Sequence, residues 1–159
     1  PQEAVREADV VFLATPFGAN RDALEPVMTE LRGKILVDCT NPVGAGLTHG
    51  LGSEHSGTEL IQSWLPETAV VKAFTIYGFE NFEDAADPAQ GVKPAMLFCG
   101  DEENAKRRVG ELIAQLGWDP VDVGGAVQAL HLEHMTLLWV RMVRMGGHSP
   151  HLVWAALRR

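Results

Sequence analysis

The sequence predicts an α/β fold in which a mainly parallel sheet is followed by C-terminal helices. Two observations support this expectation. Short apolar runs alternate with amphipathic segments along most of the chain, and the turns between them are mostly short. Such alternation is typical of parallel strands that are joined by right-handed crossover helices.

Five apolar runs are expected to form the strands, because each is rich in aliphatic residues and ends near Pro, Gly or a polar residue. They cover residues 9–15, 34–40, 68–75, 94–100 and 120–123. The first run, DVVFLAT, contains only one charged residue, at its start, and is expected to be buried on both faces, as strands of a parallel sheet are.

Apolar residues at helical spacing predict the helices between these strands. The expected helices cover 2–8, 20–31, 56–64, 102–116 and 126–145, and a last one begins at Pro150 and continues over 152–157. Ser56 and Glu59 have the spacing of a capping box at the start of the third helix. A polar excursion over 76–92 separates the third strand from the fourth.

The composition argues against two classes of partner. The 159 residues have a formal net charge of -8, whereas nucleic acids and anionic membranes require a basic surface. No apolar run approaches the ~20 residues of a membrane span, and the polar opening PQEAVREAD does not resemble a signal peptide. Cys39 and Cys99 are too few for a disulfide framework. We therefore expect a cytoplasmic protein that binds neither nucleic acid nor membrane.

Candidate site residues follow the first three strands, because ligands of open parallel sheets bind beyond the carboxyl ends of the strands. These residues are Thr15, Pro16 and Phe17 after the first strand, Asn41 and Pro42 after the second, and Ala73, Phe74 and Thr75 after the third. Turns of this kind can line a flat ligand with main-chain groups. The alternative is that Pro16 and Pro42 only end their strands.

Four runs together resemble the NADP oxidoreductases that depend on coenzyme F420, a deazaflavin. They are ADVVFLATPF, GKILVDCTNPV, SGTELIQSWLPETAVVKAF and DVGGAVQALHLEHMTLLWV. The resemblance implies a Rossmann-like NAD(P)-binding fold whose glycine-rich N-terminal part is missing from this sequence. It further implies that residues 1–125 are the remainder of the NAD(P)-binding domain. Residues 126–159 would then be C-terminal helices that form an acceptor pocket and a dimer contact.

The resemblance also implies roles for the strand-end residues. Thr15 and Pro16 would face the adenine-side ribose and the bridging phosphates, with Phe17 in the same turn. Asn41 and Pro42 would lie beside the nicotinamide ribose. The main chain of Ala73 and Phe74 would meet the nicotinamide carboxamide. Thr75 stands where the family often has Asn, so it is kept only as a candidate for substrate binding.

The expected activity is NADPH-dependent hydride transfer to a deazaflavin, a flavin or a similar small-molecule redox acceptor. NADP is the expected cofactor and NAD stays open, because the discriminating residues belong to the missing part. The cofactor supplies the reactivity, so no catalytic residue is nominated. The apolar terminal helices predict a homodimer. A non-catalytic module that binds a dinucleotide or dimerises is the alternative, because the sequence shows no clear acid–base pair.

His131 and His134 lie three residues apart, and on a helix they share a face. They are candidates for lining the acceptor pocket. The alternatives are that they line a helix start, pack at a subunit interface, satisfy a core partner or bind a metal ion. The spacing is not that of a zincin helix and the sequence shows no clear third ligand, so no metal is expected.

Overall fold

A computed structural model describes residues 2–82 and 91–157, and its centre is a five-stranded sheet. The strands are β1 (Val10–Leu13), β2 (Ile35–Asp38), β3 (Ala69–Lys72), β4 (Ala95–Gly100) and β5 (Asp119–Asp122). The helices are α1 (Gln2–Glu7), α2 (Asn20–Leu24), α3 (Gly57–Trp64), α4 (Glu103–Gln115) and α5 (Ala129–Val140). The predicted excursion over 76–92 lies partly outside the described residues, because it includes 83–90.

The strands follow one another across the sheet in the order of the chain, from β1 to β5. β1, β2 and β3 are parallel, and β4 and β5 are parallel to each other. β3 and β4 are antiparallel, with Lys72 opposite Cys99. The predicted α/β class and the mainly parallel, Rossmann-like sheet are confirmed. The carboxyl ends of β1, β2 and β3 therefore lie side by side at one edge of the sheet.

Helices cover both faces of the sheet. Successive residues of each strand point to opposite faces, so a strand of apolar residues needs a packing partner on each side. On one face, Leu36 and Val70 pack with Ile61 of α3. On the other face, Val37 and Val71 belong to the larger core, which includes residues of α4 and α5. β1 is one of the two edge strands of this sheet, and Phe12 is 48% exposed. The expectation that this run is buried on both faces is therefore wrong.

The capping box predicted at the start of α3 is present. The Glu59 backbone N–H donates to Ser56 Oγ at 3.0 Å, and Glu59 Oε2 accepts from the Ser56 backbone N–H at 2.8 Å. Two N–H groups at the helix start, which have no intrahelical partner, are satisfied in this way. The start of α3 is thus fixed by sequence-local contacts.

The prediction of one helix over 20–31 is wrong in its extent. α2 ends at Leu24, and a single 3₁₀ turn over Glu25–Val27 follows. Pro26 lies in this turn; it has no N–H and its ring clashes with the preceding helical turn, so the α-helix cannot continue. Val27 and Leu31 are nevertheless buried, so the apolar spacing identified the buried face correctly.

The predicted helices at the C-terminal end also differ from the structure. The helix predicted over 126–145 begins as a 3₁₀ turn, continues as α5 and ends as a π-helical turn over Arg141–Met145. No helix forms over 152–157. The Trp154 carbonyl instead accepts from the Ala95 N–H at 2.8 Å, and the Trp154 N–H donates to Tyr77 Oη at 3.0 Å. These contacts give the backbone groups of Trp154 hydrogen-bond partners outside any helix.

Within residues 2–82 and 91–157, no helix combines the length and the apolar character that crossing a bilayer requires.

Because both cysteines are buried or half-buried, we expect their thiols to react slowly with alkylating reagents in the native protein. Burial raises the pKa of Cys39 and that of Cys99 to about 12, and the carboxylate of Asp38 adds to the effect on Cys39. At pH 8, roughly a quarter of an unfolded thiol with a pKa of ~8.5 is thiolate, against roughly one in ten thousand at a pKa of ~12. We expect slow labelling by iodoacetamide in native buffer and fast labelling of both thiols in guanidinium. Equal rates under the two conditions would contradict this.

Candidate functional site

The ends of β1 and β2 are joined by a chain of side-chain hydrogen bonds. Thr15 Oγ1 donates to Asn20 Oδ1 at 2.7 Å, and Asn20 Nδ2 donates to Thr40 Oγ1 at 2.8 Å. Thr40 Oγ1 in turn donates to Asp38 Oδ1 at 2.7 Å. Asn20 is completely buried. The two turns that follow these strands are therefore held at a fixed separation.

A second polar cluster joins the ends of β2 and β3 to α5. Thr75 Oγ1 donates to Asn41 Oδ1 at 2.9 Å, and Asn41 Nδ2 donates to the Thr75 carbonyl at 3.3 Å. Thr136 of α5 donates to the same carbonyl at 2.8 Å. The side chains of Thr75 and Thr136 are buried, so α5 lies over this part of the sheet edge. Thr75 therefore faces the interior of the protein.

A cavity of about 570 Å³, which we call the first cavity, opens between the ends of β1 and β2. It is lined by Pro16, Phe17, Gly18, Asn41, Pro42, Val43, Gly44 and Gly50. The structure thus brings together four of the residues singled out from the sequence: Pro16, Phe17, Asn41 and Pro42. A Cβ built on Gly18 would meet no atom within 4 Å, which shows that this wall has open space in front of it.

The residues that follow β3 are placed differently. The Ala73 side chain is completely buried in the core. Phe74 lines a separate cavity of about 410 Å³ together with Phe12 and Cys39. Its φ of 56° is unusual for a residue with a side chain, and backbone strain of this kind is often found at ligand sites. The ring of Phe74 packs against Phe12 and Phe82, at centroid distances of 5.7 and 6.0 Å.

The two candidate histidines lie on the exposed side of α5. His131 is exposed, and His134 Nε2 is 3.0 Å from the hydroxyl of Ser53, in the loop that continues beyond the first cavity. The His134 ring also meets the His49 ring edge-on at 5.4 Å. Within the described part of the chain, no three His, Cys, Asp or Glu side chains are grouped so that they could hold a metal ion.

The charged residues beneath the site are not among the candidates identified from the sequence. Lys72 of β3 is fully buried, and its Nζ donates to Asp38 Oδ2 at 3.1 Å and to Glu133 Oε1 at 2.9 Å. It also donates to the Thr40 carbonyl, directly before Asn41. Burial alone would lower the pKa of Lys72, but the carboxylates of Asp38 and Glu133 outweigh burial and raise it above its ordinary value. The ammonium ion is therefore kept in the core.

Glu133 connects α5 to the rest of this network. Its Oε1 accepts from the Gly57 N–H at 2.9 Å, at the start of α3, and its Oε2 accepts from His49 Nε2 at 2.8 Å. Buried carboxylates are tolerated only where they are paired and hydrogen-bonded. Asp38 meets the same requirement, because the Thr58 hydroxyl donates to its Oδ2 at 2.7 Å.

A signal for these residues was present in the sequence. Lys72 interrupts the apolar run TAVVKAF, and Asp38 interrupts KILVDCT. Charged residues in a buried strand are rarely without a partner. Their pairing was not readable, because Lys72 lies 34 residues from Asp38 and 61 residues from Glu133.

Residues 1–42 match the family model described as NADP oxidoreductase, coenzyme F420-dependent. The chain is 30% identical to the F420-dependent NADP reductase of Methanocaldococcus jannaschii over 149 residues, which are 87% of this chain and 64% of that protein. It is 33% identical to the metalloreductase STEAP3 of Rattus norvegicus over 136 residues, which are 86% of this chain and 26% of that protein. The chain thus spans less than two thirds of either relative.

A solved structure from Arthrobacter sp. FB24, assigned as an F420-dependent NADP reductase, superposes with a TM-score of 0.88 at 28% identity. The superposition covers 99% of this chain and 72% of that one. Together with the sequence relatives, this confirms the resemblance of the four sequence runs to the coenzyme F420-dependent NADP oxidoreductases.

Replacement of Lys72 by Met tests whether the buried network stabilises the fold. The variant leaves the carboxylates of Asp38 and Glu133 without their cation in the core, and breaking a buried pair in this way costs about 3–5 kcal/mol. We expect a loss of that size in the free energy of unfolding, measured by urea denaturation. Arg107→Met is the control, because Arg107 forms an exposed pair with Glu111 on α4 worth at most about 1 kcal/mol. Equal losses in the two variants would contradict the assignment.

Proposed function

We propose that this chain, a relative of the coenzyme F420-dependent NADP oxidoreductases, forms part of an NADPH-dependent oxidoreductase that transfers hydride to a deazaflavin, a flavin or a similar acceptor. The observation that carries the proposal is the cavity between the ends of β1 and β2, lined by Pro16, Phe17, Asn41 and Pro42. Its position, beyond the carboxyl ends of neighbouring parallel strands, is where open α/β sheets bind nucleotides. Its volume of about 570 Å³ lies within the range of small-molecule sites.

The residues of the cavity fit part of a dinucleotide. Gly18, Gly44 and Gly50 leave main-chain groups accessible along its walls. The amide of Asn41 is held through both its oxygen and its nitrogen, so the turn that would face the nicotinamide ribose is fixed before any ligand binds. Thr15 and Pro16 would face the adenine-side ribose and the bridging phosphates. The bound nicotinamide supplies the hydride, and the chain orients it and excludes water.

We propose that the main chain of Ala73 and Phe74 contacts the carboxamide group of the nicotinamide. The buried Ala73 side chain and the separate cavity that Phe74 lines are compatible with a main-chain role only. The left-handed backbone conformation of Phe74 turns the peptide groups that follow β3 away from the strand direction. Thr75 is a weaker candidate for acceptor contact, because its hydroxyl is bonded to Asn41.

The acceptor is proposed to bind near His134, where its ring nitrogen and the hydroxyl of Ser53 provide polar groups beside the first cavity. His131 lies one turn earlier on the same exposed side of α5. The relatives are named for different acceptor chemistries, an F420-dependent reductase and a metalloreductase. A flavin-like ring is preferred here because the matching family model and the Arthrobacter structure share the F420 description.

We also propose a homodimer through α5 and the π-helical turn that follows it. Leu138 is 51% exposed and Met145 is 70% exposed. With Arg141 between them they form an exposed stripe at spacings of three and four residues, which is one face of a helix. Apolar side chains in such a stripe are typical of a helix that packs against a partner.

Titration of the full-length protein with NADPH and with NADH, followed by tryptophan fluorescence, tests the cofactor site. We expect saturable binding that favours NADPH. Gly18→Leu should weaken this binding by about tenfold or more, because the leucine fills space that the ligand needs. Ala114→Leu, on the exposed side of α4, is the matched control and should bind normally. No saturable binding at millimolar cofactor would remove the proposal.

Turnover distinguishes the enzyme from a binding module. NADPH oxidation with a deazaflavin or flavin acceptor supports the oxidoreductase. Tight binding of NADPH without turnover on deazaflavin, flavin, quinone and ferric acceptors would favour the alternative, a non-catalytic module that binds a dinucleotide.

Sedimentation equilibrium tests the proposed dimer. We expect a dimer at micromolar concentration, and we expect Leu138→Glu to shift the equilibrium toward monomer, because a charge would be buried in the apolar contact. Glu111→Leu, on the exposed side of α4, serves as the control and should leave the dimer intact. A wild-type monomer across the micromolar range would rule the dimer out.

A further inference from the structure

One wall of the first cavity is a short loop from Pro42 to Gly50 that folds back on itself. The Gly50 N–H donates to the Pro42 carbonyl at 2.6 Å, and the Gly44 N–H donates to the Thr48 carbonyl at 2.8 Å. Val43 and His49 form an isolated antiparallel bridge. A Cβ on Gly50 would lie 3.0 Å from the Pro42 carbonyl oxygen, so the two ends of the loop are in close contact. We refer to residues 42–50 as the cavity wall.

His49 stands at the end of the cavity wall, and its side chain is buried. Its Nδ1 accepts from the N–H groups of Leu51 at 3.3 Å and Ser53 at 3.1 Å. Because two donors point at Nδ1, that nitrogen carries no proton, and the proton of the neutral ring is on Nε2. Nε2 therefore donates to Glu133 Oε2, at 2.8 Å.

Glu133 is itself held in place from two other elements. Lys72 of β3 donates to its Oε1, and so does the Gly57 N–H at the start of α3. A carboxylate that is buried and bonded to three elements has little freedom to move. The contact between His49 and Glu133 consequently attaches the cavity wall to the buried charged network of Lys72, Asp38 and Glu133.

We propose that His49 is a positioning residue for cofactor binding: through Glu133 it holds the cavity wall at the separation from Pro16 and Phe17 that the dinucleotide requires. The inference rests on the proposed function, because it takes the cavity as the dinucleotide site. His49 does not line the cavity itself; its neighbour Gly50 does. The His49–Glu133 contact therefore governs affinity for the dinucleotide, and hydride transfer from bound cofactor proceeds unchanged.

Two substitutions distinguish the roles of the two ring nitrogens of His49. In His49→Asn, the amide oxygen can replace Nδ1 as acceptor for Leu51 and Ser53, but the shorter side chain does not reach Glu133. In His49→Gln, the amide nitrogen can replace Nε2 as donor to Glu133, but the acceptor for the two backbone N–H groups is lost. If the contact with Glu133 is what matters, the second variant keeps cofactor affinity and the first loses it.

Glu133→Gln breaks the same contact from its other side. The amide oxygen remains an acceptor for Lys72 and Gly57, while the amide NH₂ group faces the Nε2–H of His49. The NH₂ group of the glutamine and the Nε2–H of His49 are both donors, so no hydrogen bond forms between them. His49→Asn and Glu133→Gln should therefore have similar effects on cofactor affinity, and the double variant should be little worse than either single variant.

The variants are compared in the full-length protein by the Kd for NADPH, by kcat and KM, and by amide hydrogen exchange of the cavity wall. We expect His49→Asn to raise the Kd and KM for NADPH about tenfold, in line with the loss of a charge-assisted hydrogen bond, with kcat within about twofold of wild type. Exchange at the amides of Gly44 and Gly50 should accelerate. His49→Gln should keep the Kd within about threefold. His55→Asn, an exposed position between the cavity wall and α3, should behave as wild type.

Three results would overturn the inference. One is a folded His49→Asn variant with wild-type Kd. A second is His49→Gln binding NADPH as weakly as His49→Asn. Failure of the proposed function is distinguishable, because the wild-type protein itself would then show no saturable NADPH binding. Faster exchange of the cavity wall together with a reduced kcat and an unchanged KM would also contradict the inference, since it would place the effect in the transfer step.

Discussion

The position of α5 on the sheet depends on the buried ammonium group of Lys72. A charge of this kind is costly inside a protein unless carboxylates and hydrogen bonds surround it. Asp38 supplies one carboxylate from the neighbouring strand, and Glu133 supplies the other from α5. Any displacement of α5 would leave an unpaired charge in the core. The network carries one more carboxylate than ammonium, and neutral donors compensate for this excess: the hydroxyls of Thr40 and Thr58, the Gly57 N–H and the His49 ring.

The same network organises the edge of the sheet at which the candidate site lies. Lys72 holds the Thr40 carbonyl, so the turn at Asn41 begins from a fixed point. The cluster of Asn41, Thr75 and Thr136 then fills the space under α5, and a cavity remains on the Pro16 side. The second, aromatic cavity at Phe74 is separate from it. The floor of the site therefore consists of polar side chains whose hydrogen bonds are made within the protein. Its walls are formed mainly by prolines, glycines and an aromatic ring.

Much of the fold could be predicted from local patterns in the sequence. Apolar runs and helical spacing located all five strands, and the spacing of Ser56 and Glu59 identified the capping box. Three features were beyond such patterns. The direction of β4 is not encoded by its apolar run, because a buried strand has the same composition whichever way it runs. The pairing of Lys72 joins residues far apart in the chain. The path of 152–157 is set by hydrogen bonds to Tyr77 and Ala95.

Glu133 has a further effect on the amino end of α3. The backbone amides at that end are the groups that commonly bind phosphate in α/β proteins, because they carry partial positive charge and no partner. In this chain the amides of Ser56, Gly57 and Glu59 are bonded to Glu59, Glu133 and Ser56 respectively. Two of these acceptors are carboxylates, so the helix end is electrically neutralised by the protein itself. An anionic ligand gains no attraction there, and its charged groups must find their donors elsewhere along the cleft.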